Sequence, residues 1–383
     1  MLSKKIIKIS FCVLFAVMLA VPLVTTNLKK NKISKEENRV LAQMPSIYKA
    51  DETLNKNFLS EFENWFDDNV GLRSEMVAAN GLIQYGVFGR FDNNRNLFLG
   101  PNGEINYATS AMMRDYQHLN LYSEQYLKDW ADSLQYISDY LGEKGKQMYY
   151  YQCWDKHSIY PEYFPDTVIQ HGDSSKTDGI VKALEEYSTV NVISPKQELL
   201  DGKKDYDTYS KYGDATHWAQ RGAYIGYLKL MKAINEANNN RFKVLAEEDY
   251  NLTLTDQGRK LFGIIRKQEM LENFQLKEPH AKSTREKLTL YADDGRHFFY
   301  TNDTADNNIR LLVIGDSYFY SYIIDDIAES FKETIFIMGD YVGNIGAILD
   351  EYDPDIVIIE AAERVDRTSA IIAGAKALRE ANK

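Results

Sequence analysis

A chain of 383 residues is long enough for one sizeable α/β domain with extensions, or for two small domains. Its 44% apolar and 26% charged residues exclude both a disordered polymer and a fully membrane-embedded protein. A formal net charge of -11 argues against a nucleic-acid partner, since a phosphate backbone is bound by a positive field, and two cysteines, Cys12 and Cys153, leave no disulfide framework or CxxC metal site.

At the amino end, Lys4, Lys5 and Lys8 precede an apolar run from Ile9 to Val24, and Lys29, Lys30 and Lys32 follow it. The run is shorter than the ~20 residues of a comfortable transmembrane helix, tolerates Pro22 and is followed by no clean A-x-A site. Residues 1–28 read as a signal anchor, with a cleaved signal peptide as the alternative. Either way the positive end stays cytoplasmic and the rest of the chain is extracytoplasmic. Residues 29–110 read as an N-terminal helical extension, in which Phe58 to Phe66 carries apolar positions at three- and four-residue spacing.

From residue 111 to 383 the pattern is that of an α/β domain. Leu127, Trp130, Leu134, Ile137 and Leu141 keep a helical period, Gly145 supplies a stop, and Gln147 to Cys153 reads as a strand. Lys156 to Pro165 reads as an irregular loop, because two prolines close together forbid regular pairing, and a loop at a strand's carboxyl end is a natural ligand rim. A helix over Asp178 to Tyr187 and a strand over Val190 to Ile193 follow. The polar stretch from Asp201 then leads into Asp214-Ala-Thr-His217-Trp218, and a helix over Gln220 to Ala237 starts directly behind it. Residues 240–305 are polar with scattered aromatics; they read as an insertion of a few strands or a cap, with no assignable chemistry.

The last eighty residues are the clearest. Leu311 to Ile314 is a continuous apolar run, the pattern of a buried parallel strand, and it ends in Gly315-Asp316-Ser317. A helix over Tyr318 to Phe331, a strand over Thr334 to Met338, a helix over Gly343 to Tyr352 and a strand over Ile356 to Glu360 complete the alternation. Alternating strands and helices imply a parallel sheet whose chemistry collects at the carboxyl ends of its strands, where Ser317, Gly343 and Arg364 fall.

A serine hydroxyl becomes a nucleophile when a histidine accepts its proton and an acid orients that histidine. Ser317 at a strand-to-helix turn supplies the hydroxyl, and the bland alternative is a helix-capping serine. His217 is the best base in the chain, since D-x-x-H spacing lets Asp214 fold back on Nδ1 while Nε2 faces the serine. No HxxxH, HExxH or cysteine cluster accompanies it, so neither a metal nor another cofactor is expected. Of the other histidines, His157 alone lies in a candidate rim loop. The 27 tyrosines and 4 tryptophans can serve as sugar platforms as well as core filler. Trp218, Trp154, Tyr160 and the neighbouring Lys156 are the substrate-binding candidates, with plain packing as the alternative.

Gly-Asp-Ser after a strand, together with D-x-x-H, resembles the SGNH hydrolase superfamily. The order, with Asp214 and His217 before Ser317, resembles its permuted branch, the alginate O-acetylation (AlgJ/AlgX-like and DHHW-like) proteins. Glu37-Asn38-Arg39, Asp68 to Arg73, Lys156 to Pro165, Pro354 to Glu360 and Glu363-Arg364 are similar to stretches of that branch. The resemblance implies an SGNH (flavodoxin-like) parallel sheet flanked by helices. It also implies an extracytoplasmic enzyme that O-acetylates an exported or cell-surface polysaccharide through an acyl-serine, with a membrane-bound O-acyltransferase as donor partner. Two departures stand out: that branch has D-x-H-W where this chain has one residue more, and Arg364 stands where ordinary SGNH enzymes carry an oxyanion asparagine. Arg364 is therefore either an oxyanion donor or a partner of Glu360 or Glu363, and Gly343 is similar in position to the second oxyanion donor. An esterase on the same scaffold and a non-catalytic polysaccharide-binding protein remain as alternatives.

Overall fold

In a computed structural model the chain is described except for residues 1, 30–32, 35–38, 50–51, 89–95, 108, 262–264 and 285–295. Glu37 and Asn38 of the first similar stretch lie outside the described residues. The chain forms two compact units, residues 1–92 with 260–265, and residues 93–259 with 266–383.

The first unit holds the helices α1 (Leu2–Val24), α2 (Phe58–Asn69) and α3 (Arg73–Phe88). Within α1, Lys4–Val24 is long and apolar enough to cross a membrane, and none of it is buried. At 1.5 Å per residue it reaches ~30 Å, about the thickness of a bilayer's hydrocarbon core. The helix therefore starts well before Ile9, the lysines of its first two turns being compatible with helical geometry. Buried Asn69 closes α2: its amide donates to the carbonyls of Ala42 and Trp65, each at 2.9 Å, and accepts from Asn27 at 2.6 Å.

The second unit is built on one sheet. Its strands in chain order are β1 (Gln147–Cys153), β2 (Asn191–Ile193), β3 (Lys282–Thr284), β4 (Phe298–Thr301), β5 (Arg310–Gly315), β6 (Glu333–Met338) and β7 (Ile356–Ala362). Across the sheet they run β3-β4-β6-β5-β7-β1-β2. The five from β6 to β2 are mutually parallel, while β3 and β4 add an antiparallel edge. This is a helix-flanked, mostly parallel sheet, as expected from the alternation of strands and helices. The strands read as unbroken apolar runs because both faces are covered: Leu311 and Val313 of β5 enter one core, and Leu312 and Ile314 the other.

The helices α4 (Glu124–Gly142), α5 (Lys176–Tyr187), α6 (Gln220–Ala237), α7 (Ser317–Tyr320), α8 (Ile345–Tyr352) and α9 (Thr368–Ala381) flank the sheet. Trp130, Leu134, Ile137 and Leu141 of α4 bury one stripe, Ser123 caps the start by accepting from the Tyr126 amide, and Gly145 turns the chain at φ +72°. Two expectations change. Lys156 to Pro165 is two short helical turns, Lys156–Ile159 and Pro161–Tyr163, the second opened by a proline that helical first turns favour. The helix expected from Tyr318 to Phe331 breaks after Tyr320 and resumes at Ile324–Ala328, which lets Tyr318, Phe319, Ile323 and Ile327 all reach the core. Residues 240–305 supply β3, β4 and a separate hairpin of Tyr250–Asp256 with Met270–Leu276.

Candidate active site

Three adjacent parallel strands deliver side chains to one end of the sheet: Ser317 follows β5, Arg364 follows β7, and Asp155 follows β1. Close contact beneath the end of β5 selects the glycine of the Gly-Asp-Ser turn. A Cβ on Gly315 would lie 2.5 Å from the Glu360 carboxyl, so only glycine lets β5 approach β7 there. Glu360 accepts from the Asp316 amide at 2.6 Å, and burial with Asp316 nearby raises its pKa far above the usual carboxylate range. Asp316 is the cap of α7: one oxygen accepts from the Tyr318 amide at 3.0 Å and the other from the Ala362 amide at 2.9 Å. The capping role thus belongs to Asp316, and Ser317 stands at the first helical position.

His217 arrives from the loop before α6, held by its neighbours. Trp218 is fully buried and forms an isolated backbone bridge with Tyr209, and the Ala219 amide donates to the Thr208 carbonyl at 2.8 Å. The structure brings Ser317, His217 and Asp214 together. Ser317 Oγ lies 2.8 Å from His217 Nε2, and His217 Nδ1 lies 3.0 Å from Asp214 Oδ2. The other Asp214 oxygen accepts from the Thr216 and His217 amides at 2.8 and 2.9 Å. Burial acts to raise the Asp214 pKa, but the hydrogen bond and charge of His217 and these amides hold it well below the usual range. A D-x-x-H turn therefore accommodates both contacts, and the extra residue relative to D-x-H-W does not separate acid from base.

Arg364 joins this cluster. Its Nη2 lies 3.0 Å from His217 Nε2, the nitrogen that also faces Ser317, and its Nη1 donates to Asp155 Oδ1. The pairing with Glu360 or Glu363 is thus not the one formed; Asp155 takes that place because β1 and β7 are neighbours. Tyr318 completes the support: its hydroxyl lies 2.7 Å from Asp155 Oδ1 and 2.6 Å from the Thr216 carbonyl, and the guanidinium sits over its ring at 5.0 Å. Gly343 is placed elsewhere, in a 3-10 turn against α9, where a Cβ would lie 3.6 Å from the Ala370 carbonyl.

The four substrate-binding candidates are buried supports rather than an open platform. Trp218 packs edge-on to Tyr318 at 5.0 Å. Trp154 donates to Ser194 at 2.8 Å, and Tyr160 stacks on Tyr163 and meets the Thr208 hydroxyl at 3.0 Å. Lys156 reaches beneath the site, donating to the carbonyls of Ile105 at 2.7 Å and Asp214 at 3.2 Å. Burial lowers its pKa to about 8 in spite of Glu269, Asp214 and Glu104. These rings and this ammonium hold the Asp214–His217 loop. Asp155 and Tyr318 were not singled out by the sequence; the phase of Asp155, two residues past the strand end, was the signal that could have found it. The ring beside His217 that keeps partial exposure is Tyr322, at 5.8 Å and 30°.

Among the described residues, Asp155, His157 and Glu363 offer ligand atoms within 4.8 Å of one another. Each carboxylate is already engaged: Asp155 by Arg364 and Tyr318, Glu363 by the Ser158 hydroxyl at 2.7 Å and the Asp155 amide at 3.0 Å. Arg364 thus meets one Asp155 oxygen, while the other Asp155 oxygen and both His157 ring nitrogens have no hydrogen-bond partner among the described residues.

The family model described as an SGNH hydrolase-like domain, acetyltransferase AlgX, matches residues 113–322. The chain belongs to this family. The family is one of acyltransferases and esterases on an SGNH-like domain, and the match contains Asp214, His217 and Ser317. No curated protein matches the chain. Among solved structures, Bacillus cereus PatB1 with a sulfonyl adduct is similar with a TM-score of 0.50 and 16% identity, covering 65% of this chain and 94% of that one. The O-acetyltransferase domain of Pseudomonas putida AlgJ has a TM-score of 0.45 at 14% identity, covering 74% and 99%. Pseudomonas aeruginosa AlgX has 0.43 at 13%, covering 73% and 67%.

Proposed function

We propose that this family member is a serine-dependent O-acetyltransferase acting outside the cytoplasm on hydroxyls of an exported or cell-surface polysaccharide. The observation that carries the reading is the unbroken line Ser317 Oγ, His217, Asp214, with contacts of 2.8 and 3.0 Å. His217, with Nδ1 protonated toward Asp214, accepts the Ser317 proton on Nε2 as Oγ attacks the acyl carbonyl. The oxyanion forms beside the Ser317 amide, which has no intrahelical acceptor at the first helical position, and beside the Arg364 guanidinium. In the resting state that guanidinium competes with the serine hydroxyl for the Nε2 lone pair, so it must turn toward the oxyanion as the acyl group binds. His217 then protonates the leaving group, and in the second half-reaction it activates the sugar hydroxyl that attacks the acyl-serine. The apolar α1 supports a membrane anchor. On this reading a membrane-bound O-acyltransferase supplies the acetyl group, which accounts for tethering at the bilayer.

An esterase is the second reading, favoured by the partial exposure of Ser317 and His217 to water. One experiment separates them. The protein is exposed to an activated acetyl ester and its mass measured. An acetyl adduct absent from Ser317→Ala establishes the acyl-serine, and no adduct on the parent removes it. Partition of that acetyl between water and oligosaccharide then decides between transferase and esterase.

A further inference from the structure

Next to His217 the surface sinks into a cavity of about 440 Å³. One of its lining residues borders the candidate active site: the Tyr322 ring stacks beside the His217 ring at 5.8 Å and so stands between the cavity and the Ser317–His217 pair. The far wall comes from the stretch to which the sequence lends no chemistry, including Phe274, Pro279 and Tyr300.

The lining combines flat aromatic surface with carboxylates and, among the described residues, contains no lysine or arginine. Of its three acids, Glu329 is committed to structure, accepting from the His280 and Ala281 amides at 2.7 and 2.8 Å. Asp325 is exposed and accepts from the Tyr300 hydroxyl at 2.7 Å with one oxygen. Asp326 beside it is pushed up to about 7 by burial and by Asp325 and Glu329. The nearby guanidinium of Arg221, stacked over Phe274 at 4.8 Å, is locked by Glu272 at 2.6 Å and by Glu247, and does not neutralise the pair. Asp325 is the acid exposed at the cavity, with one oxygen open, while Asp326 beside it is more enclosed and also meets the Tyr250 hydroxyl. Rings offer a stacking face to a pyranose, and carboxylate oxygens accept from its hydroxyl or ammonium hydrogens. A uronate would bring a further negative charge into a partly desolvated acidic space, where like charges repel strongly.

We propose that this cavity is the acceptor subsite and that it seats a non-anionic sugar unit, neutral or amine-bearing, while rejecting uronates. The inference deepens the acyl-serine reading and rests on it for the word acceptor; the binding preference stands by itself. The test measures binding of three length-matched oligosaccharides to the full chain in detergent carrying Ser317→Ala: a neutral hexose oligomer, a hexosamine oligomer with free amines, and an oligouronate. The expected result is at least tenfold tighter binding of the first two. Asp325→Lys, at an exposed position that does not threaten folding, is expected to weaken the hexosamine at least tenfold and to strengthen the uronate. Equal or tighter binding of the uronate by the parent, or an order unchanged by Asp325→Lys, overturns the proposal. Acetylation of Ser317 by the activated ester is followed alongside in the parent protein. Acetylation without binding of any oligosaccharide overturns the subsite and leaves the acyl-serine standing. Charge-ordered binding without acetylation supports the cavity as a glycan site and overturns the acyl-serine.

Discussion

Two carboxylate–histidine pairs stand near the carboxyl end of the sheet, and they differ in what they can do. Asp214–His217 has side chains 39% and 21% exposed, and its far nitrogen faces the hydroxyl of Ser317. Glu363–His157, at 3.5 Å, has side chains 1% and 4% exposed, and its imidazole is boxed by the edges of Tyr116 and Phe164. Burial opposes charging His157, yet Glu363 beside it, with Asp155 and Asp115, leaves its pKa raised, while His157, Ser158 and the Asp155 amide hold Glu363 low. The enclosed pair sits between the ends of β1 and β7, out of reach of solvent; the open pair can exchange a proton with something that arrives from outside. An acid, a base and a short contact do not suffice for catalysis, and what separates the two pairs is access and a hydroxyl on the free nitrogen.

The sharpest break of this comparison comes from the hydroxyl and the base. Ser317→Ala and His217→Ala are each expected to lower acyl transfer from an activated ester by ~10⁴- to 10⁶-fold, with the double variant no worse than either, because the groups act as a unit. Thermal unfolding should move little. Wild-type turnover in folded Ser317→Ala would remove the nucleophile.

Next come the acids, exchanged one for one. Asp214→Asn is expected to reduce the rate by ~10²- to 10⁴-fold through loss of the oriented imidazole, at small cost in stability since the group is more than a third exposed. Glu363→Gln is expected to do the reverse: about 3 kcal/mol of stability lost from a buried pair, with turnover within a few-fold at a temperature where the variant is folded. Denaturant midpoints and initial rates on both variants check this, and equal loss of rate would make the enclosed pair part of the chemistry.

Arg364 touches both regions, since one side of the guanidinium meets His217 and the other Asp155. Arg364→Ala is expected to cost ~10²-fold or more in acylation rate and several kcal/mol in stability, as Asp155 loses its cation. Asp155→Asn placed on top should recover stability without recovering rate. Recovery of both would reduce Arg364 to a structural partner.

How far these roles were legible depends on whether they are local. Strand β5 with its Gly-Asp-Ser turn, and the D-x-x-H segment, are specified within a few residues, so period and spacing suffice to find them. Asp155 and Tyr318 act through strand neighbourhood, β1 beside β7 beside β5, which no local pattern records. Trp154, Trp218 and Tyr160 look alike in sequence whether they face solvent or hold a loop from below, and here they are buried. Residues 250–301 hide the cavity wall because half-exposed antiparallel strands carry mixed polarity and no sustained period.

The smallest effect concerns Lys156, which ties the Asp214 loop to Ile105 from below and carries a pKa of about 8 where a free lysine has 10.5. Below pH 8 both folded and unfolded chains hold this proton, and the fold bears the whole burden of a buried ammonium. Between about 8 and 10.5 the folded chain releases the proton while the unfolded chain keeps it, so ν_U exceeds ν_N and stability rises with pH; above that window it is level. The rise from this one group is at most about 3 kcal/mol. Other lysines and tyrosines titrate in the same window, so the readout is the difference between the parent and Lys156→Met in urea midpoints from pH 7 to 10.5. The variant is expected to lack the increment and to be the more stable of the two at pH 7 only if its two lost hydrogen bonds weigh less than the burden removed. Its acylation rate should fall by ten-fold or less, because the Asp214 carbonyl loses a tether while the carboxylate keeps its contacts. A parent and variant whose midpoints run parallel through this range would mean that Lys156 keeps its proton in the fold as far up in pH as it does in the unfolded chain.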